Sequence, residues 1–139
     1  MIFLLDTTIM SELMRRNTVV TTHLRRINAE DRVVISAITF GEIRFGIHRL
    51  PVGNRRRALD IEFLHLLAHI PCLGLPPEAG ILYADLKLKV FRDSLGLDEN
   101  DLWIASHGLA LNATLVTADE NYRRLPNLEV ANWKKNANG

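Results

Sequence analysis

The run Ile2-Phe3-Leu4-Leu5, followed at once by Asp6-Thr7-Thr8, constrains this chain more than any other stretch. Four consecutive apolar residues without alternation read as a strand buried on both faces, as in a parallel sheet covered by helices on each side. A carboxylate directly after such a strand is poor packing material. In open α/β sheets the carboxyl ends of the strands are where ligands bind, because loops and helix N-termini converge there. Asp6 is therefore the first candidate functional residue, and three later acids occupy comparable places.

The rest of the chain alternates helical and strand-like patterns. Helical spacing over residues 8–14 and 19–27 is interrupted at Asn17-Thr18, and Arg32-Val33-Val34-Ile35-Ser36 is a short β-branched strand. A long helical pattern through Ile38, Glu42, Phe45 and Arg49 stops at the turn signal Pro51-Val52-Gly53-Asn54. Arg55-Arg56-Arg57 opens a further helix, with Leu59, Phe63, Leu66 and Leu67 at helical spacing. Ile70-Pro71-Cys72-Leu73 is a weaker strand that its proline places toward an edge. Pro76-Pro77 starts a helix running to Gly96, and residues 98–113 form another. Residues 114–117 are a buried strand leading to Asp119, and Leu128-Glu129-Val130 is the last strand, before Trp133 and a polar tail that frays. Strands alternating with helices predict βαβ units and an α/β fold, a three-layer α/β/α sandwich around a central parallel sheet.

A length of 139 residues suits a single domain, 1–139, with one core. The net charge of +1 argues neither for nor against a polyanionic partner, so local clusters have to decide. The lone cysteine, Cys72, sits in an apolar run without a disulfide partner; it fits a reducing compartment and reads as a buried structural thiol. No apolar run approaches the ~20 residues of a membrane-spanning helix. The N-terminal run lacks a basic flank and meets Asp6 too early for a signal peptide, so a cytoplasmic protein is the simplest reading.

Asp6 and Asp119 each follow a buried strand, Glu42 lies in the helix after the second strand, and Asp101 falls in the first turn of a helix. In a parallel sheet all four converge on one edge. Clustered carboxylates raise each other's pKa unless a cation lies between them. Mg²⁺ or Mn²⁺ suits oxygen ligands and can promote phosphodiester hydrolysis. Structural readings compete with this one. Residues 39–42 match a capping box, Asp98 and Asp101 have the spacing of an N-cap and its third-position acid, and Asp119 could cap a short helix through Tyr122.

Leu4-Leu5-Asp6-Thr7-Thr8, then Ser36, Thr39 and Glu42, then Asn100-Asp101-Leu102-Trp103-Ile104-Ala105, then Leu115-Val116-Thr117-Ala118-Asp119, and finally Leu128 and Trp133 together resemble the PIN-domain ribonucleases. Within them the set is most similar to the VapC toxins of bacterial type II toxin–antitoxin systems. The resemblance spans nearly the whole chain in order and spacing. It implies a Mg²⁺- or Mn²⁺-dependent endoribonuclease acting on tRNA or rRNA, a homodimer, and a cognate VapB-type antitoxin bound across the active-site groove in a heterotetramer or larger assembly. It also implies that Asp6, Glu42, Asp101 and Asp119 are the catalytic acids, with the metal held mainly by Asp6 and Asp101 and with Thr7 and Thr117 beside the site. Asp98 is a secondary candidate. Thr8 stands where Asn is commoner, and Tyr122 where Phe is.

Two other functions compete. One is a non-catalytic partner subunit of an antitoxin–DNA autorepressor complex, which would not need four mutually repelling acids. The other is a DNA-flap or rRNA-processing nuclease, against which the small size argues. The basic groups Arg15-Arg16, Arg25-Arg26, Arg55–57 and Arg123-Arg124 are available to RNA phosphates, or simply to solvent and helix dipoles. His65 and His69 have the i, i+4 spacing of two metal ligands but lack a third, and read as ordinary helical residues. Trp103 reads as packing rather than base stacking, and a surface helix carrying Phe45 or Leu88 as a dimer face.

Overall fold

The four-residue strand read from the sequence, β1 (Ile2–Leu5), is the central strand of a five-stranded sheet with order β3-β2-β1-β4-β5. The computed structural model describes residues 1–136; the end of the polar tail expected to fray lies outside them. Its partners β2 (Arg32–Ser36) and β4 (Thr114–Val116) both run parallel to it, pairing Leu4 with Val34 and Leu115, and Leu5 with Ile35 and Val116. The outer strands β3 (Cys72–Leu73) and β5 (Glu129–Ala131) are also parallel to their neighbours.

Side chains alternate across a strand, so that register sorts the core into two layers. Leu4, Val34 and Leu115 pack on one face with Leu102, Ile104, Ala105 and Tyr122. Leu5, Ile35 and Val116 pack on the other with Ile9, Met10, Ile43, Phe63 and Trp133. Helices α1 (Thr7–Met14), α2 (Thr18–Arg25), α3 (Ala37–His48) and α4 (Asn54–His69) cover the second face, and α5 (Pro77–Asp93) and α6 (Glu99–Ala110) the first. Each fully buried aliphatic side chain contributes about 1.5–3 kcal/mol. The result is the expected three-layer α/β/α sandwich. No helix among the described residues is long and apolar enough to cross a membrane.

From β1 the chain moves outward through β2 and β3, then returns to the opposite side of β1 with β4. That reversal makes the carboxyl ends of β1 and its neighbours a topological switch point, where an open α/β sheet leaves a crevice. Asp6 lies at it.

Two sequence readings need correction here. Cys72 is exposed, not buried. Its strand is only two residues long and stands at the sheet edge, where Leu73 packs against the core but Cys72 faces outward. Residues 39–42 do not form a capping box: Ser36, the last residue of β2, is the N-cap of α3 and accepts from the Ile38 N–H at 3.2 Å. That leaves the Glu42 side chain free for another partner.

Candidate active site

Asp6 terminates β1 and caps α1. Its extended backbone turns Oδ1 toward the Ile9 N–H at 3.1 Å, satisfying one of the helix's unpaired donors. Two threonine hydroxyls complete its surroundings. Thr8 donates to Oδ1 at 2.6 Å and accepts from the Ala118 N–H, while Thr117 donates to Oδ2 at 2.5 Å and accepts from the Asp119 N–H. The backbone leaving β4 thus tethers both oxygens of Asp6 through hydroxyl relays. Asp6 is only 3% exposed, and burial holds its pKa above the ordinary carboxylate value although all these hydrogen bonds favour the ionised form.

Thr7, one residue on, points to α3, where its hydroxyl donates to Glu42 Oε1 at 2.7 Å. Asp119 caps the 3₁₀ helix Glu120–Arg124, accepting from the Asn121 N–H at 2.9 Å. Asp101 sits at the third position of α6. The capping box expected there is present: Asp101 N–H donates to Asp98, and Asp98 N–H donates back to Asp101 Oδ2 at 3.0 Å. The other Asp101 oxygen accepts the Tyr122 hydroxyl at 3.0 Å. Burial, with the nearby Asp98 charge, pushes Asp101 up to about 6 against the opposing pull of those hydrogen bonds.

Tyr122 joins the acids electrostatically. Its ring is buried, and its hydroxyl is driven well above its usual pKa by burial and then by the charges of Asp101, Asp6 and Asp119. The sequence marks Tyr122 as a departure from the commoner Phe but not as the hydrogen-bond partner of Asp101. Thr8 likewise stands out in the sequence only as a departure, from the commoner Asn, and not as the hydroxyl that fixes Asp6. Asn100 lines the cleft that contains Thr7 and Glu42, which brings the start of α6 to α3.

The acids are strung along the sheet edge through hydroxyls rather than folded into one cage. Among the described residues no three His, Cys, Asp or Glu side chains are gathered closely enough to enclose a metal ion. A hard divalent cation does not need that, since Mg²⁺ is commonly held by one or two carboxylates and keeps several waters. The all-oxygen donor set, and the burial that disfavours the charged forms of Asp6 and Asp101 and that a bound cation would offset, fit such an ion. His65 and His69 are exposed and play no part in the edge. Trp103 stacks on Tyr83, rings parallel within 4° and 3.9 Å apart, so it packs between helices as expected.

Of the basic groups, Arg15 and Arg55 line a cleft that also contains Thr7 and Glu42. Arg15 pairs with Glu12, Arg16 with Glu62 and Arg123 with Glu120.

The PIN-domain family model matches residues 3–128. The ribonuclease VapC2 of Rickettsia felis is 30% identical over 115 residues, covering 81% of this chain and 83% of that protein. Ribonuclease VapC1 of Haemophilus influenzae strain R2866 is 30% identical over 138 residues, covering 97% of this chain and all of its own length. Among solved structures, VapBC2 from Rickettsia felis bound to a DNA fragment from its promoter superposes with a TM-score of 0.88 at 26% identity, over 96% of this chain and 99% of that one.

Proposed function

The chain belongs to the PIN-domain family, and we propose that it is the ribonuclease toxin of a toxin–antitoxin pair, an endoribonuclease that hydrolyses phosphodiester bonds in tRNA or rRNA with Mg²⁺ or Mn²⁺. The observation that carries this reading is the buried, hydroxyl-tethered Asp6 at the switch point of the sheet, in a chain similar over nearly its full length to a VapC ribonuclease. On this reading residues 1–139 are one PIN domain at work in the cytoplasm.

Asp6 and Asp101 would hold the cation, with Glu42 reaching it through water and Asp119 completing the set. When bound, the ion supplies positive charge that activates water and stabilises the charge developing on the phosphate. The residues of the chain do the positioning. Thr8 and Thr117 fix both Asp6 oxygens, Thr7 turns Glu42 toward the edge, and Tyr122 fixes Asp101. No covalent enzyme intermediate is required: direct attack by water gives products ending in 5′-phosphate and 3′-hydroxyl.

The partners of the reading are RNA, a VapB-type antitoxin and a second copy of the chain. Ile81, Leu88 and Phe91 leave an exposed apolar row on α5, and Phe45, 67% exposed, stands on α3; both support protein partners for these helices.

Cleavage of a panel of tRNAs and an rRNA hairpin tests the proposal. Site-specific cutting should require Mg²⁺ or Mn²⁺, and Asp6→Asn should lower its rate on the order of 10²–10³-fold. Asparagine still caps α1, so circular dichroism should be unchanged. Undiminished cutting by Asp6→Asn, or by the wild type in chelator, would sink the reading.

A further inference from the structure

Asp101 opens α6 and Asp119 follows β4, so the two acids arrive on separate segments whose spacing something has to fix. The 3₁₀ helix Glu120–Arg124 bridges them. Asp119 caps its start, and Tyr122 in its middle donates to Asp101. Its outer side is based on β5 and the residue after it: Arg123 donates to the Val130 carbonyl at 3.2 Å, and Glu120 accepts from the Asn132 side chain at 3.4 Å. A bracket with a fixed base and a single grip would leave the start of α6 free to swing about the Tyr122 hydroxyl. The second grip comes from Asn121.

The half-buried Asn121 reaches both segments. Its backbone N–H donates to Asp119 at 2.9 Å, and its side-chain amide donates, at a long 3.5 Å, to the Gly96 carbonyl. Gly96 lies in the turn between α5 and α6, two residues before Asp98, the residue that caps α6 and orders Asp101. Its φ is +72°, and a Cβ there would stand 3.1 Å from Asn121 Nδ2. Among the other described glycines only Gly108 has any atom within 4 Å of that position, and its neighbours are leucine side chains of the core. A turn that needed only left-handed backbone would accept asparagine. The close approach of Asn121 leaves room for no side chain at all.

We propose that Asn121 is a positioning residue for the metal site: seated on Gly96, it sets the separation between the segments that carry Asp101 and Asp119. Mg²⁺ departs reluctantly from octahedral geometry, so acids that share it through its waters have to be held within about 0.5 Å of their places. The proposal rests on the metal-dependent ribonuclease reading, but its test does not depend on cutting.

The test is Mn²⁺ titration calorimetry on the full chain, with thermal unfolding in parallel. Asn121→Ala keeps the backbone donor to Asp119 and should weaken Mn²⁺ binding about tenfold at an unchanged melting temperature. Gly96→Ala should also weaken it, because the new Cβ displaces the Asn121 amide, and should melt lower because its backbone is strained. Combined, the two substitutions should bind Mn²⁺ no more weakly than Asn121→Ala alone, yet still melt lower. The loss of affinity then travels through Asn121, and the loss of stability does not. Wild-type affinity in Asn121→Ala, or affinity losses that add in the double variant, would overturn the positioning role and leave the ribonuclease reading standing. A wild-type chain that binds no Mn²⁺ would remove the metal reading and this proposal together.

Discussion

Asp6 and His107 are both titratable side chains with almost no exposed surface, 3% and 0%, yet their surroundings are opposite. Asp6 receives a backbone N–H and two threonine hydroxyls. His107, on α6 amid the apolar layer, has no hydrogen-bond partner at either ring nitrogen. Burial shifts them in opposite directions: Asp6 is raised but remains tethered for ionisation, while His107 is pulled below its usual value and stays neutral. The same degree of burial thus marks a place prepared for charge in one region and an unpaired polar ring in the other. What separates them is the supply of oriented donors, which the sheet's carboxyl edge has and the apolar layer lacks.

Removing one donor at the edge gives the largest effect that would sharpen this contrast. Tyr122→Phe deletes only a hydroxyl, so it should weaken Mn²⁺ binding, measured by calorimetry, about 10–100-fold at an unchanged melting temperature. Unaltered Mn²⁺ affinity would mean that Tyr122 is merely packing. Next is the orphaned imidazole. His107→Leu should stabilise the fold by about 1–3 kcal/mol, because an unsatisfied buried polar group is replaced by an apolar one. It should also change the acid limb. The unfolded histidine takes up a proton below about pH 6.5 and the folded one resists, so wild-type stability falls as pH drops through that range, and the variant should lose that dependence. An identical pH profile in denaturant unfolding would break the comparison.

The smallest effect comes from Asp101, half-buried and so partly screened. Its folded pKa is raised to about 6. Between about pH 4 and 6 the folded state holds a proton that the unfolded state has released, so stability declines as pH rises through that window. In metal-free protein Asp101→Asn should therefore be more stable than wild type above pH 6, and the gain should vanish toward pH 4.

Much of this was legible before the structure, for local reasons. β2 was bounded correctly because its β-branched run is unbroken, and the Asp98–Asp101 capping box because it spans three residues. Asp101 shows that structural and functional readings of one residue need not exclude each other. The capping box at residues 39–42 failed because Ser36 already occupied the N-cap, a choice made by where β2 ends. Cys72 failed because an apolar run cannot report whether a neighbouring strand will cover it. The Tyr122–Asp101 and Thr117–Asp6 bonds join residues 21 and 111 apart, distances over which spacing carries no signal.

The place of β1 at the centre of the sheet also sets a clock. Its second neighbour, β4, and the hydroxyl that fixes Asp6 Oδ2 come 111 residues later. At a synthesis rate of about 5–20 residues per second, Asp6 is joined to the chain roughly 5–20 s before Thr117 is. Such non-local pairing is slow to form and must wait for the whole span. A truncated translation product ending between Glu42 and β4 carries both acids without the strand that orders Asp6, so the hydroxyl-tethered site is assembled only when synthesis is nearly done.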